Sequence, residues 1–203
     1  VRASIDLAVR GGVSHISMYA LTPEDGTPIY TDYLNGELPD SDEVAALYDG
    51  ARSYLAGCGF ERYEVSNFAK KGFESRHNLN YWKRGEYIGF GVDASSFMGG
   101  RRFTNTRDLD EYIKCILSNY YPVVADEKIG EEDARFETVM LSLRTAKGLD
   151  IAEYRARFGS DFYKDFAAPL KKNAAYLDCT DTSVRIKDAY LYVQNTIIID
   201  FLS

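Results

Sequence analysis

The sequence predicts an α/β fold in two parts, with helix–strand units over residues 1–125 and a small winged-helix-like α+β domain over 126–203. Three observations predict it. Helical apolar spacing gives way to strand-forming runs twice between Val1 and Val65, the signature of an α/β layer. The register changes near Tyr121-Pro122, and from Glu131 the pattern is helical. Three helical segments are then followed by two short β-forming runs, which together suggest a helix–turn–helix unit with a small hairpin.

Each element has its own justification. Val1, Ile5 and Val9 recur at helical spacing, and Gly11-Gly12 stops that helix. Val13–Leu21 is rich in strand formers and reads as a strand, ended by the turn chemistry of Thr22–Pro28. Residues 29–40 read as an irregular polar link. Ser41 is the expected cap of a helix whose stripe is Val44, Leu47, Tyr48, Ala51 and Leu55, with Gly57 and Gly59 at its end. Phe60–Val65 alternates as a strand. Tyr87–Phe97 is strand-like but interrupted by Gly89 and Gly91, and it lacks the third glycine and helix start of a nucleotide loop. Leu109–Leu117 reads as a short helix.

In the second part, Phe136, Val139, Met140 and Leu143 share a helix face. Asp150 and Glu153 form an acidic capping box for a helix stopped by Gly159. Ser160 opens a third helix, which Pro169 is expected to end or kink. Ser183–Lys187 and Ala189–Val193 read as two strands, and Asn195–Leu202 as either a helix or a strand.

Composition limits the function classes. Lys plus Arg number 24 against 31 Asp plus Glu, and the net charge of −7 argues against a broad nucleic-acid surface. Lys164, Lys171 and Lys172 on the third helix are offset by Asp161 and Asp165, so a winged-helix module for DNA is disfavoured. Cys58, Cys115 and Cys179 are far apart, which predicts neither a disulfide framework nor a metal knuckle and suits a reducing cytoplasm. No membrane span or signal peptide is expected. The chain opens on Val1 inside a helical pattern, so a piece of a longer protein is expected.

The richest stretch is His77-Asn78-Leu79-Asn80-Tyr81-Trp82, with one of two histidines and the only tryptophan. It reads as a connection between strands, where binding groups gather. Two readings stand side by side: packing aromatics with a hydrogen-bonded histidine, or an exposed imidazole ligand between aromatic faces. Asn78 and Asn80 are placed to orient such an imidazole. His15, at a strand start, reads as structural. The basic cluster Arg101, Arg102 and Arg107 reads either as a carboxylate-binding group or as a solvated turn.

Assembled in order, these motifs resemble a known family. His15–Glu24 is similar to the "HIS-Y-LT-E-GT" strand and loop of oxygen-independent coproporphyrinogen III oxidase-like proteins. Gly59–Ala69 and Glu74–Trp82 resemble that family's "GY-YE-SNFA" and "ES-HN-YW" runs, and Tyr87–Gly91 matches as well. The His-Asn-x-x-Tyr-Trp form resembles the haem-chaperone branch.

The resemblance implies the C-terminal part of an incomplete radical S-adenosylmethionine (β/α) barrel followed by the winged-helix-like domain. It implies a [4Fe–4S] cluster and S-adenosylmethionine in the parent protein, although the family's cluster loop is absent here. It places Tyr19, Ala20 and Leu21 at the edge of the adenosyl site, and His77, Tyr81 and Trp82 at haem, with His77 as iron ligand. Ser95 stands where many relatives carry a histidine. The implied function is haem binding for delivery to an acceptor protein, with oxidative decarboxylation of coproporphyrinogen III as the alternative. The chain as given is expected to be catalytically inactive.

Overall fold

In the computed structural model, which describes residues 1–202, the strands form three separate three-stranded antiparallel sheets. No barrel closes among them.

Helix α1 (Arg2–Arg10) buries Ile5, and Gly12, at φ 74, turns the chain into β1 (His15–Ser17). The expected strand Val13–Leu21 shrinks to these three residues, because its partner β3 (Asn67–Ala69) is equally short. After the Met18 amide bonds to the Ser66 carbonyl, residues 19–21 run free of backbone partners among the described residues. Helix α2 (Pro28–Leu34) occupies the expected link, with Pro28 in its first turn where the missing N–H costs nothing.

Helix α3 (Ser41–Gly57) is capped by Asp40 rather than Ser41: Asp40 accepts from the Asp42 and Glu43 amides while Glu43 reaches back to the Asp40 amide. Its Ala51 and Leu55 join Ile5, Phe60 and Phe68 in one buried cluster. Strand β2 (Glu61–Arg62) ends early, because the Tyr63 amide donates to the Asn67 carbonyl and folds the chain back as β3. β3 lies between β1 and β2, antiparallel to both. β1 and β2, each preceded by a helix, therefore run parallel to one another with β3 inserted between them.

The histidine stretch is not a loop. It forms helix α4 (Arg76–Trp82), started by the Ser75 hydroxyl, which accepts from the Asn78 amide at 3.2 Å. The Tyr87–Phe97 run yields only a bridge at its ends and the strand β4 (Ser95–Met98). Two of the three clustered arginines are not in a turn either; Arg107 alone lies in an exposed bend. Gly99 and Gly100, both at positive φ, make a two-residue hairpin that pairs Met98 with Arg101 and starts β5 (Arg101–Asn105). Helix α5 (Leu109–Leu117) forms as expected, and β6 (Val123–Lys128) completes the second sheet.

The last part runs α6 (Glu131–Ser142), β7 (Leu149–Asp150), α7 (Ile151–Phe158), α8 (Phe162–Asp165), α9 (Ala167–Lys172), β8 (Leu177–Cys179) and β9 (Ser183–Ile186), then a 3-10 turn (Asp188–Val193) and α10 (Gln194–Ile199). Asp150 caps α7 and Gly159, left-handed at φ 66, stops it. The third helix breaks at Phe166, which leaves Pro169 harmless in the first turn of α9. Residues 189–193 are not a strand. β9 is already paired by β7 on one side and β8 on the other, and Tyr190 instead packs edge-on against Tyr176 at 4.9 Å. The last run is helical, with Ile197, Ile198 and Phe201 buried in a second cluster with Val139, Leu143, Tyr154, Phe162 and Val184. Ser203 lies outside the described residues.

Candidate functional site

Helix α4 sorts its motif onto two faces. His77 and Tyr81 are one turn apart, with ring centroids 4.8 Å apart in an edge arrangement. Tyr81 in turn meets Tyr87 edge-on at 4.7 Å, so three rings form a row. His77 is exposed and Tyr81 is exposed at the rim of that row.

Trp82 does not join them. At 3.6 residues per turn it points about 140° away from His77. With Leu79 it lines a cleft of about 510 Å³, whose opposite wall carries Thr138, Tyr154 and Arg157. Of the expected His77, Tyr81 and Trp82, the structure brings His77 and Tyr81 together, with Tyr87 beside Tyr81, and sets Trp82 on another face of the helix. Asn80 does not orient the imidazole: its Nδ2 donates to the Glu86 carbonyl at 3.0 Å. Asn78 stands near the Tyr63 hydroxyl.

Tyr63 is a residue that sequence reading passed over. Nearly buried, it shares a 2.8 Å hydrogen bond with His15 Nε2 and accepts from the Ser75 amide at 3.4 Å. Burial pushes its phenol up, and the Ser75 amide bond, with Asn78 nearby, partly opposes that. His15 is thus structural, as its strand position predicts, and it links β1 to the start of α4. Beyond β1, Tyr19 and Leu21 are exposed and, among the described residues, the backbone groups of Tyr19, Ala20 and Leu21 bond to no other backbone group.

The C-terminal end of α4 is held by ion pairs. Arg84, left-handed at φ 53, donates from Nε to Glu137 Oε2 at 2.7 Å and lies over the Phe97 ring at 4.5 Å. Arg102 donates to the other Glu137 oxygen at 2.7 Å. Burial works to raise the Glu137 carboxyl, but the hydrogen bonds from Arg102 and Arg84 outweigh it and hold it below the ordinary range. Arg157 Nη2 donates to the Lys83 carbonyl at 3.1 Å. Arg101 and Arg107 pair with Asp126 and Asp93, so each arginine of the expected basic cluster meets a carboxylate, that of Arg102 being shared with Arg84.

The donor set does not fit an iron–sulfur cluster, which takes converging thiolates. Cys58, Cys115 and Cys179 are free, and among the described residues no three His, Cys, Asp or Glu side chains converge on one point. No helix is long and apolar enough to cross a membrane.

Comparison with known proteins completes the picture. Residues 129–188 match the HemN C-terminal domain. "Heme chaperone HemW" of Mycobacterium tuberculosis (strain H37Rv) is 37% identical over 155 residues, 75% of this chain and 40% of that protein. "Heme chaperone HemW" of Bacillus subtilis (strain 168) is 32% identical over 170 residues, 83% of this chain and 45% of that protein. The chain thus spans less than half the length of these relatives. Coproporphyrinogen III oxidase (HemN) from Escherichia coli, described as a radical SAM enzyme, superposes with a TM-score of 0.73 at 16% identity, over 100% of this chain and 51% of that one.

The fold is accordingly a partial radical-SAM-type α/β unit followed by a HemN-type C-terminal region. The chain belongs to the oxygen-independent coproporphyrinogen III oxidase-like radical S-adenosylmethionine family, and the two sequence relatives above are named haem chaperones.

Proposed function

We propose that this chain is the haem-contacting part of a haem chaperone, and that His77 is the residue that meets the haem iron. The observation that carries the reading is the row of His77, Tyr81 and Tyr87 on the open face of α4. Neutral imidazole is a common iron ligand, and the two phenol rings offer faces and edges beside it. Relatives named as haem chaperones support haem, or a porphyrin, as the cargo. Delivery to an acceptor protein belongs to the same proposal.

S-adenosylmethionine and the [4Fe–4S] cluster are proposed for the parent protein, where they would supply radical chemistry. Here Tyr19, Ala20 and Leu21 are assigned to the adenosyl edge, on the strength of backbone groups left free just past β1. No residue of this chain is assigned to the cluster. We place the domain boundary at the end of β6, a few residues past the 125–126 division expected from the sequence, in keeping with two separate buried clusters. Free cysteines favour a reducing cytoplasm.

The test is a titration of haem into the wild-type chain, His77→Ala, and Cys58→Ser, Cys115→Ser and Cys179→Ser, following the Soret band. His77→Ala is expected to weaken binding and shift the band, with the cysteine variants unchanged. An unchanged His77→Ala beside a cysteine variant that abolishes binding would overturn the assignment.

A further inference from the structure

Helix α4 has only seven residues, too few to hold their own shape in water. Its geometry is set by anchors outside it. At its start are the Ser75 cap and the Tyr63 hydroxyl that accepts from the Ser75 amide. At its end are two groups of the HemN-type C-terminal region: Glu137, which grips Arg84, and Arg157, which grips the Lys83 carbonyl. Glu137 lies 53 positions from Arg84 and Arg157 lies 74 from Lys83, so these tertiary contacts add to the local bonds that close α4, the Gly85 amide to the Asn80 carbonyl and Asn80 Nδ2 to the Glu86 carbonyl.

These anchors are tight. The Arg84 side chain is 11% exposed and that of Glu137 is 16%, so little water competes for the bond. Arg84 Nη2 is buried with no partner among the described residues, so it has no second acceptor to turn towards. Arg102 fixes the other oxygen of Glu137, which leaves the carboxylate one orientation. His77 and Tyr81, one turn apart on α4, are exposed.

We infer that Glu137 and Arg157 are positioning residues for the haem contact: the HemN-type C-terminal region holds α4 so that His77 and Tyr81 present one binding face. The inference rests on the role proposed for His77. It gives the C-terminal region a task in ligand binding although neither residue touches the ligand. A purely structural role would alter unfolding and leave the spectrum of bound haem alone.

The test uses the full 203-residue chain and haem, followed by the Soret band, with a thermal melt to confirm folding. Glu137→Gln and Arg157→Ala are each expected to weaken haem binding about 5- to 30-fold and to shift the bound Soret band. Arg157→Lys, which keeps a donor for the Lys83 carbonyl, is expected to recover most of the affinity. In a His77→Ala background neither substitution is expected to add a further loss. Should Glu137→Gln fail to fold, the Arg157 pair decides alone. If His77→Ala binds haem as the wild type does, the proposed function fails and this inference with it. If His77→Ala weakens binding but Glu137→Gln and Arg157→Ala do not, the inference alone is overturned. An equal loss in the His77→Ala background overturns it too, since the effect then bypasses the imidazole.

Discussion

Tyr63 and His15 share a 2.8 Å hydrogen bond between the phenol oxygen and Nε2, 48 positions apart in the chain. Because the Ser75 amide already donates to that oxygen, the phenol proton is free to be donated to the imidazole. One hydroxyl thereby ties β1 to the first turn of α4.

Tyr63→Phe removes this tie and leaves a part-buried ring nitrogen without its partner. It is expected to cost about 1–2 kcal/mol, the usual loss for a stranded polar group. Urea unfolding of the variant checks this. A midpoint equal to the wild type's would show that water replaces the phenol at no cost.

Acid is expected to loosen the seam at Glu137. Its folded pKa is lowered, so its contribution is fully present above the ordinary glutamate value of 4.5 and is lost as pH falls through the lower folded value. Asp165 behaves alike: burial raises it, but hydrogen bonds from Ser160 and Tyr154, with Arg135 nearby, bring it below its ordinary 3.8. Thermal melts between about pH 6 and 3 should show a declining midpoint. The decline should be shallower in Glu137→Gln. An identical slope in both proteins would remove Glu137 from the account.

Gly148 is expected to tolerate no side chain. It sits at φ 72, and a Cβ there would run into the Val184 carbonyl and the Arg185 backbone. Gly148→Ala combines left-handed strain with a clash against β9, and should cost about 2 kcal/mol or more. Gly159→Ala, at φ 66 but in open space, should cost only the strain term, about 1 kcal/mol. Chemical denaturation of the pair separates strain from collision.

Leu55 and Phe162 are fully buried in different clusters. Leu55→Ala is expected to cost about 2–5 kcal/mol and Phe162→Ala about 3–5 kcal/mol. If the boundary at the end of β6 separates two domains, each substitution will destabilise its own half first. Hydrogen exchange would show protection lost mainly in that half. Uniform loss across the chain would argue for a single cooperative unit.

Local signals in the sequence carried the helices and several of their ends. Of the stripe Val44, Leu47, Tyr48, Ala51 and Leu55, the structure buries Ala51 and Leu55, half-buries Val44 and Tyr48 and leaves Leu47 exposed, while the stop at Gly159 stands; such signals act within a turn or two. Two comparable signals were present but unread: Ser75 three residues before Asn78, and the Gly99-Gly100 pair that makes Arg101 and Arg102 strand residues. The motif order from His15 to Trp82 was enough to indicate the family, because motifs are written in the chain itself.

Tertiary structure alone decided the rest. Strand lengths follow from their partners, so Val13–Leu21 became three residues beside a three-residue β3. Residues 189–193 lost their strand because β9 had no free edge to offer. Helical geometry, not spacing in the chain, separated Trp82 from His77, and the chain beyond α4 brought Tyr87 against Tyr81. Glu137 and Arg157 had no signal, since they meet α4 across 53 and 74 positions and a single sequence records no contact at that range. Capping and periodicity are short-range physics and can be read from the letters, whereas burial, edge pairing and ion pairing are set by which surfaces the folded chain brings together.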